Sequence, residues 1–406
     1  MNEKTLNLAV IGAGPVGLAL ALHAARTLPH AQVTLFDARA ADKDVSADPR
    51  ALALSLGSVQ ILERLGAWRA DLAQPIVEVH VSQAPPSTTA LVGSWLGEPA
   101  LRIRAIDEAV PLLGAVMQYG AIVAPLQQVW LDAERAEPRR LHSRFGTPVA
   151  ALKNVDGGVE VDAGIAERFD LAVVAEGGVF ADQGRLLPTA RARPTLRHDY
   201  GQTAWVGQVA YEPGAGPRPG IAFERFTRHG PAALLPLRDG HAALVWCVAS
   251  ADDPVRELSD SQRVAVLNTI FHAAAGRIAS VTPLKPFALG LNAERTLTDG
   301  RTVRIGNAAQ TLHPVAGQGL NLGLRDAFEL VRALGRNADV GAVLRRLEWQ
   351  RAPDRWAMIV ATDFLARSFT WKLPGAGTAR GLGIAALQAL GPVKSAIARR
   401  MMFGSR

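Results

Sequence analysis

Apolar positions from Leu6 to Ile11 form a short, nearly unbroken run, the pattern of a strand covered on both faces. Pro15 to Arg26 then reads as a helix started by proline near its first turn, and Gln32 to Asp37 as the next strand. Strand, turn, helix and strand make a unit of the length that a parallel sheet needs. Apolar spacing predicts further helices over Pro49 to Leu65, ending near Gly66, and over Ala105 to Gln118. Between them, residues 76 to 100 change character, with Pro85, Pro86, Ser87, Thr88 and Thr89 marking a turn-rich excursion. Strands follow around Ala150 to Val161 and at Leu171 to Ala175, the latter patterned like a central parallel strand. From Arg193 to Leu284 the period falls to two, as in Thr203 to Tyr211 and Ala242 to Val248, which predicts a mainly antiparallel sheet. Residues 301 to 306 return to a buried strand, Gly317 to Leu334 reads as a helix, and the last 70 or so residues read as mostly helical, with a loop at Pro374 and Gly375. No internal repeat interrupts the chain.

With 406 residues and 49% hydrophobic content the chain is long enough for a large core with a smaller cap, which excludes a disulfide-stapled miniature. The single cysteine, Cys247, has no partner for a disulfide or a metal cluster, so the pattern is that of a reduced, intracellular protein with an inert buried thiol. A net charge of +7 suits an anionic cofactor or membrane surface. Nucleic acid is not expected as a partner, because the arginine clusters are short and no nucleic-acid-binding signature accompanies them. Leu6 to Ala25 superficially resembles a signal or anchor, yet Gly12, Gly14, Pro15 and Gly17 would break a spanning helix.

Those same residues fit a strand-to-helix turn. Gly12, Gly14 and Gly17 match G-x-G-x-x-G, where the first glycine permits the turn, the second admits a pyrophosphate and the third lets helix and strand pack. Asp37 follows Gly17 by twenty residues, placed to bind ribose hydroxyls and to disfavour a 2′-phosphate. On this motif alone NAD and FAD both remain open. About 300 residues later comes a second glycine cluster, from Gly306-Asn307 through Pro314 to Gly317-Gln318-Gly319 and Asn321. A simple nicotinamide dehydrogenase needs no second cradle, whereas amides at the start of the following helix can face a planar ring and stabilise negative charge on it.

The two clusters resemble those of the class A flavoprotein monooxygenases, whose type member is p-hydroxybenzoate hydroxylase. The wording from Gly306 to Gly323, together with Asp48-Pro49-Arg50-Ala51-Leu52-Ala53-Leu54, Leu65 to Trp68 and the stretch Phe226 to Trp246, is most similar to the ubiquinone-biosynthesis hydroxylase branch. The resemblance runs nearly the whole length of the chain, in order. It implies an α/β fold: a Rossmann-like FAD-binding domain with an inserted, mainly antiparallel substrate domain and a helical C-terminus. The corresponding boundaries are 1–75, 101–185 and 286–335 for the FAD-binding domain, 76–100 and 186–285 for the substrate domain, and 336–406 for the helical region.

By the same resemblance, Gly12, Gly14, Gly17 and Asp37 hold the AMP half of FAD, and Arg50 reaches the flavin side. Gly306 belongs to the same cofactor-binding loop. Asn307, which replaces the aspartate common in the wider class as it does in the ubiquinone branch, sits near the ribityl chain and pyrophosphate, and Pro314, Gly317, Gln318, Gly319 and Asn321 border the flavin ring. For Arg50 the competing reading is a capping or surface arginine, and for Gln318 and Asn321 it is helix-start hydrogen bonding alone. Glu176, in Glu176-Gly177, stands where the family usually has aspartate. The serine and arginine usual just downstream are missing from the stretch through Val179, Phe180, Ala181 and Asp182, which leaves NAD(P)H as the expected reductant but through an altered contact. The family's chemistry delivers an electrophilic oxygen from a flavin hydroperoxide, so dioxygen and an electron-rich, apolar phenol are the implied partners. His313 either acts on substrate or anchors its loop. At the C-terminal end, Phe364, Phe369, Trp371, Leu373, Met401, Met402 and Phe403 beside Lys372, Lys394, Arg399 and Arg400 suit either an anionic membrane or a core-packing helix with a basic edge. The expected location is the cytoplasm, free or peripherally attached at the inner membrane and in contact with other biosynthetic enzymes. The competing functions are a hydroxylase or epoxidase for another apolar molecule, and a silent FAD-binding partner in a complex.

Overall fold

The computed structural model describes residues 5–84, 100–177, 195–368 and 376–404. The strand-turn-helix-strand unit appears as read, with strands Asn7–Ile11 and Gln32–Asp37 flanking helix Pro15–Thr27. They sit in a six-stranded sheet with Leu171–Val174 and Thr302–Arg304 on one side and Leu141–Phe145 on the other. Val10 pairs in parallel with both Val173 and Leu35. Both faces are covered, which is why these strands carry no alternation. Leu8, Val10, Leu35 and Val173 pack on the helices, while Ala9, Ile11, Phe36 and Val174 pack on a three-stranded sheet over Ala151–Val155, Gly158–Asp162 and Ala166–Phe169.

The period-two stretch forms most of a nine-stranded sheet, whose long strand Thr195–Tyr211 runs antiparallel to His241–Ala249 and to Lys285–Glu294. Glu78–Gln83 joins the sheet in parallel beside Ile221–Thr227, and Ala100–Arg104 forms its edge, so the ends of the 76–100 excursion belong to this layer. Pro85 to Thr89 lie outside the described residues. One element in this region is missed by period-two reading: helix Asp260–Ile270, opened by a reciprocal capping box of Ser259 and Gln262 and packed on the sheet through Leu267.

Two helix expectations are corrected. Ala51–Ser55 is a strand, followed by a helix only over Leu56–Arg64, and Gly114–Gln118 is a strand, followed by helix Tyr119–Ala136. Alanine and leucine favour a helix in isolation, but here Leu52 pairs with Met117 and Leu54 with Ala115 across an antiparallel ladder. Gly114 is what lets the strands meet, because a Cβ there would lie 2.1 Å from the Leu54 carbonyl oxygen.

The C-terminal segment is helical over Gly319–Leu334, Val340–Ser368, Ala376–Ala389 and Gly391–Phe403. Part of the expected membrane-facing group turns inward. Met402 is buried with Ala398 against Leu56 and Val116, Phe403 packs on the same cluster, and Gly57 admits the Met402 backbone. Phe364 is exposed, as are Leu382, Leu390, Val393 and Ile397. Arg399 and Arg400 are exposed and Lys394 is half-buried, whereas Phe369, Trp371, Lys372, Leu373, Pro374 and Gly375 lie outside the described residues. Among the described residues no single helix is long and apolar enough to cross a membrane.

Candidate cofactor and active site

The glycines of the first cluster divide into two kinds. Gly12 has φ +104°, and a Cβ there would stand 2.8 Å from the Glu176 amide nitrogen. At Gly17 a Cβ would be 1.8 Å from the Gly12 carbonyl oxygen. The fold itself demands both. Gly14 has room, its nearest neighbour being the Tyr119 hydroxyl at 3.6 Å, and it lies at the N-cap of helix Pro15–Thr27. Space at that one glycine, beside free helix-start amides, is the space a pyrophosphate takes. Asp37 closes the rim: its carboxylate accepts from the Ala13 amide at 2.5 Å and from the Arg39 amide at 2.8 Å. Arg39, which motif reading passes over, donates to the Ala13 carbonyl and to Gln127. Its only sequence signal is its place two residues after the strand-end acid.

The second cluster reaches the first through direct contact. Gly306, at φ +59°, abuts Val16 of the first helix, and Gly323 packs on both Gly306 and Val16. A Cβ on Gly177 would lie 2.9 Å from the Asn307 Cβ, so the segment Glu176-Gly177 is wedged between Gly12 and Asn307. Gly319, like Gly14, is roomy, with Asn307 Oδ1 at 3.9 Å its nearest neighbour. Both loops thus hold one spacious glycine at a helix start amid tightly packed ones, and the residues fit an extended dinucleotide laid across them. Burial, with the negative charge of Asp37 adding and Arg304 opposing, holds the Glu176 carboxyl above its usual range. Val179 to Asp182 lie outside the described residues.

Arg50 chelates Asp48, with Nη2 donating to Oδ2 at 2.7 Å, and lies 4.5 Å from the centre of the Tyr119 ring. It therefore reaches the Gly14 side of the site through Tyr119. Pro314 opens the turn Val315–Gly317, closed by the Gly317 amide on the Pro314 carbonyl at 2.9 Å, with Gly317 at φ +58°. Gln318 is buried at the start of the next helix. Asn321, 1% exposed, accepts from the Ser55 amide at 2.8 Å and donates to the Ala53 and Gly317 carbonyls, both at 3.0 Å. Its amide is spent on protein backbone, so it positions the loop against strand Ala51–Ser55.

His313 is likewise a loop anchor. It is 2% exposed, its Nδ1 accepts from the Val315 amide at 3.1 Å, and its Nε2 faces Gln202 Oε1 at 3.2 Å. That pattern fixes the neutral ring with the proton on Nε2. Burial pushes its pKa down to about 4. The unfolded chain takes up this proton near pH 6.5, so it binds more protons than the folded chain across the window from 6.5 to about 4. Stability is full above that window and falls as the solution is acidified through it, by roughly 3 kcal/mol in all. Denaturant titrations at pH 7.5 and pH 5 should show a loss about 2 kcal/mol smaller in His313→Gln than in the natural protein. An identical pH slope in both would contradict the assignment.

Behind the loop lies a buried ionic network that the sequence reading missed. Arg351 binds Asp326 at 2.8 Å and Asp354 at 3.0 Å, and Arg325 faces Asp354 at 3.5 Å, all 5% exposed or less. Arg355 donates to Gln310 at 2.6 Å, three residues before His313. Charges at helical spacing read as a solvated face, and nothing in their pattern marks them as interior.

This sheet-and-cradle geometry defines a flavin-dependent oxidoreductase, and comparisons agree. The family model for an FAD binding domain matches residues 195–359. The chain is 30% identical to the ubiquinone hydroxylase UbiL of Rhodospirillum rubrum, over 98% of this chain and 90% of that protein. It is 29% identical to the 3-demethoxyubiquinol 3-hydroxylase of Escherichia coli, over 97% of each. Among solved structures it resembles Klebsiella pneumoniae HpxO, crystallised with FAD and uric acid, at TM-score 0.70 and 17% identity over 98% of this chain and 97% of that one. The p-nitrophenol 4-monooxygenase of Pseudomonas putida gives the same TM-score and identity over the whole of both chains. The chain belongs to the FAD-dependent monooxygenase family. Within it, this protein is a hydroxylase related to those of ubiquinone biosynthesis, with the α/β architecture and the FAD that the sequence led us to expect.

Proposed function

We propose that this protein hydroxylates the ring of a phenol bearing a polyprenyl tail, as a step in ubiquinone biosynthesis. The observation that carries the reading is an apolar sheet face laid directly on the second glycine loop: Phe226 packs on Val315, with Val81 and Leu365 alongside. Bound FAD supplies the activation of dioxygen, and the remaining work belongs to the chain. Gly14 and the amides of the first helix take the pyrophosphate, Asp37 the adenosine ribose, and Gly306 with Asn307 the ribityl side. Pro314, Gly317, Gln318 and Gly319 border the ring, and the sheet face keeps water from the reacting centre and orients the substrate. NAD(P)H is the proposed reductant. Full-length relatives named as ubiquinone hydroxylases support the substrate class.

A second reading, a flavin-binding partner without turnover, is favoured by Glu176 where the family has aspartate. FAD-loaded protein should oxidise NADH or NADPH faster when 2-polyprenylphenol is added. Tightly yellow protein with no stimulated oxidation would contradict the first reading and support the second.

We also propose peripheral delivery of the oily substrate at an anionic membrane, through exposed Leu382, Leu390, Val393 and Ile397 beside Arg399 and Arg400. Vesicles containing phosphatidylglycerol should sediment the protein and neutral vesicles should not. Equal sedimentation with both, or with neither, would refute this.

A further inference from the structure

Glu224 is a carboxyl group in an unusual place. It lies in strand Ile221–Thr227, whose alternate residues separate cleanly by face. Ile221 and Phe223 pack under helix Asp260–Ile270, and Arg225 donates to the Ile270 carbonyl, also on that side. Ala222 and Phe226 leave on the other face: Ala222 packs near Ile76 and Leu101, and Phe226 packs on Val315 of the glycine loop. Glu224 stands between those two, so its carboxyl shares the face turned toward the loop.

The residues directly beside that carboxyl are apolar, and the nearest polar side chain on the face, Gln83, lies diagonally across beside Phe226 and donates to the Gly377 carbonyl. Register places Val81 and Ala233 directly beside it on the flanking strands, and Val245 one strand further. Among the described residues it has no hydrogen bond and no ion pair. Of the titratable groups on the same face, Cys247 has its thiol pushed up by burial and by Glu224, Tyr200 packs with Cys247, His313 meets the face at Gln202, and Lys285 ends the cross-strand row that runs from Glu224 through Ala233, Val245 and Val206. His80 lies opposite, against Phe223. Glu224 nonetheless keeps part of its surface open. Burial alone pushes its carboxyl up to about 8. A partnerless acid is costly in an apolar wall, and a site that retains one uses it on a ligand.

We propose that Glu224 is the polar partner of the substrate ring: its carboxylate accepts the hydrogen bond of the phenolic hydroxyl and takes that proton as the ring is attacked. This rests on the hydroxylase reading above. As a ring carbon forms its bond to the incoming oxygen, the phenolic O–H bond breaks, its electron pair flows into the ring, and the proton passes to the carboxylate. The attacked carbon then loses its hydrogen as a proton to solvent, aromaticity returns, and Glu224 gives its proton back to the first oxygen. Dioxygen activated at the cofactor is the oxidant: its O–O bond breaks, one oxygen atom enters the ring, and the other leaves as water with the two electrons that NAD(P)H supplies. A base whose proton affinity lies near the working pH suits this task.

The probes are 2-farnesylphenol and its O-methyl ether, with FAD-loaded natural protein, Glu224→Gln and Glu224→Leu. In equilibrium dialysis at pH 9 without reductant, the natural protein should bind the phenol at least about tenfold more tightly than the ether, and Glu224→Leu should bind the two alike. In turnover, kcat/KM of the natural protein should rise about tenfold from pH 7 to pH 9, while Glu224→Gln stays flat and slow. A Leu variant that still prefers the phenol, or a Gln variant that follows the natural pH profile, would overturn the assignment while leaving the hydroxylase reading intact. Natural protein that neither binds nor oxidises the phenol would overturn both. Glu224→Leu should melt no lower than the natural protein, since it removes an acid without a protein partner from an apolar wall, which separates lost recognition from lost fold.

Discussion

Gly14→Val is expected to fold normally and lose FAD, whereas Gly17→Val is expected not to fold. The two positions are three residues apart in one motif, yet their surroundings are opposite. At Gly17 a Cβ would sit 1.8 Å from the Gly12 carbonyl oxygen, a backbone atom that can move only if the first strand and helix separate. Such a clash in the central layer should cost more than about 4 kcal/mol. At Gly14 nothing but the Tyr119 hydroxyl comes within 4 Å, and the backbone, at φ −76° and ψ −179°, suits any residue. The protein should lose about 1 kcal/mol there from a poorer helix N-cap. The added methyls would occupy the place of the pyrophosphate, so FAD affinity should fall at least about 100-fold. Flavin titration and thermal unfolding of both variants read the difference. Normal flavin content in Gly14→Val would remove that loop from the cofactor site.

The second large effect is expected at the buried ions. Asp354→Ala removes the carboxylate that faces both Arg325 and Arg351 inside the interface of helices Gly319–Leu334 and Val340–Ser368. Taking this carboxylate away from two buried guanidinium groups should cost roughly 3–5 kcal/mol, read as a lower denaturant midpoint. FAD affinity should fall with it, because this interface also holds Gln310 through Arg355, at the base of the glycine loop. Pairing Asp354→Leu with Arg325→Met should recover part of the loss, since Arg351 keeps Asp326 at 2.8 Å. A single variant as stable as the natural protein would show that the network contributes nothing.

What could be read from the sequence follows from which interactions are local. The Gly12 turn, its flanking strand and helix, and the Gly306 to Asn321 segment carry their geometry in short-range signals, so the cofactor class was accessible before any coordinates. Ala51–Ser55 and Gly114–Gln118 were not, because their alanine and leucine content favours a helix until each strand finds the other across more than fifty residues. His313 and Asn321 illustrate a different limit. Their place in the motif is plain, but only the structure reveals that Val315, Gln202, Ser55 and Ala53 absorb their polar atoms. Asp326, Asp354 and Glu224 drew no reading from the sequence for the same reason: burial is set by distant neighbours, not by spacing along the chain.

One experiment reaches the central claim. FAD-loaded protein, NAD(P)H and 2-polyprenylphenol are incubated under ¹⁸O₂, and the organic extract is analysed by mass spectrometry. The expected product carries a new ring hydroxyl whose oxygen is the heavy isotope. Recovery of unchanged phenol alongside reduced heavy oxygen alone, or a hydroxyl drawn from water, would contradict that claim.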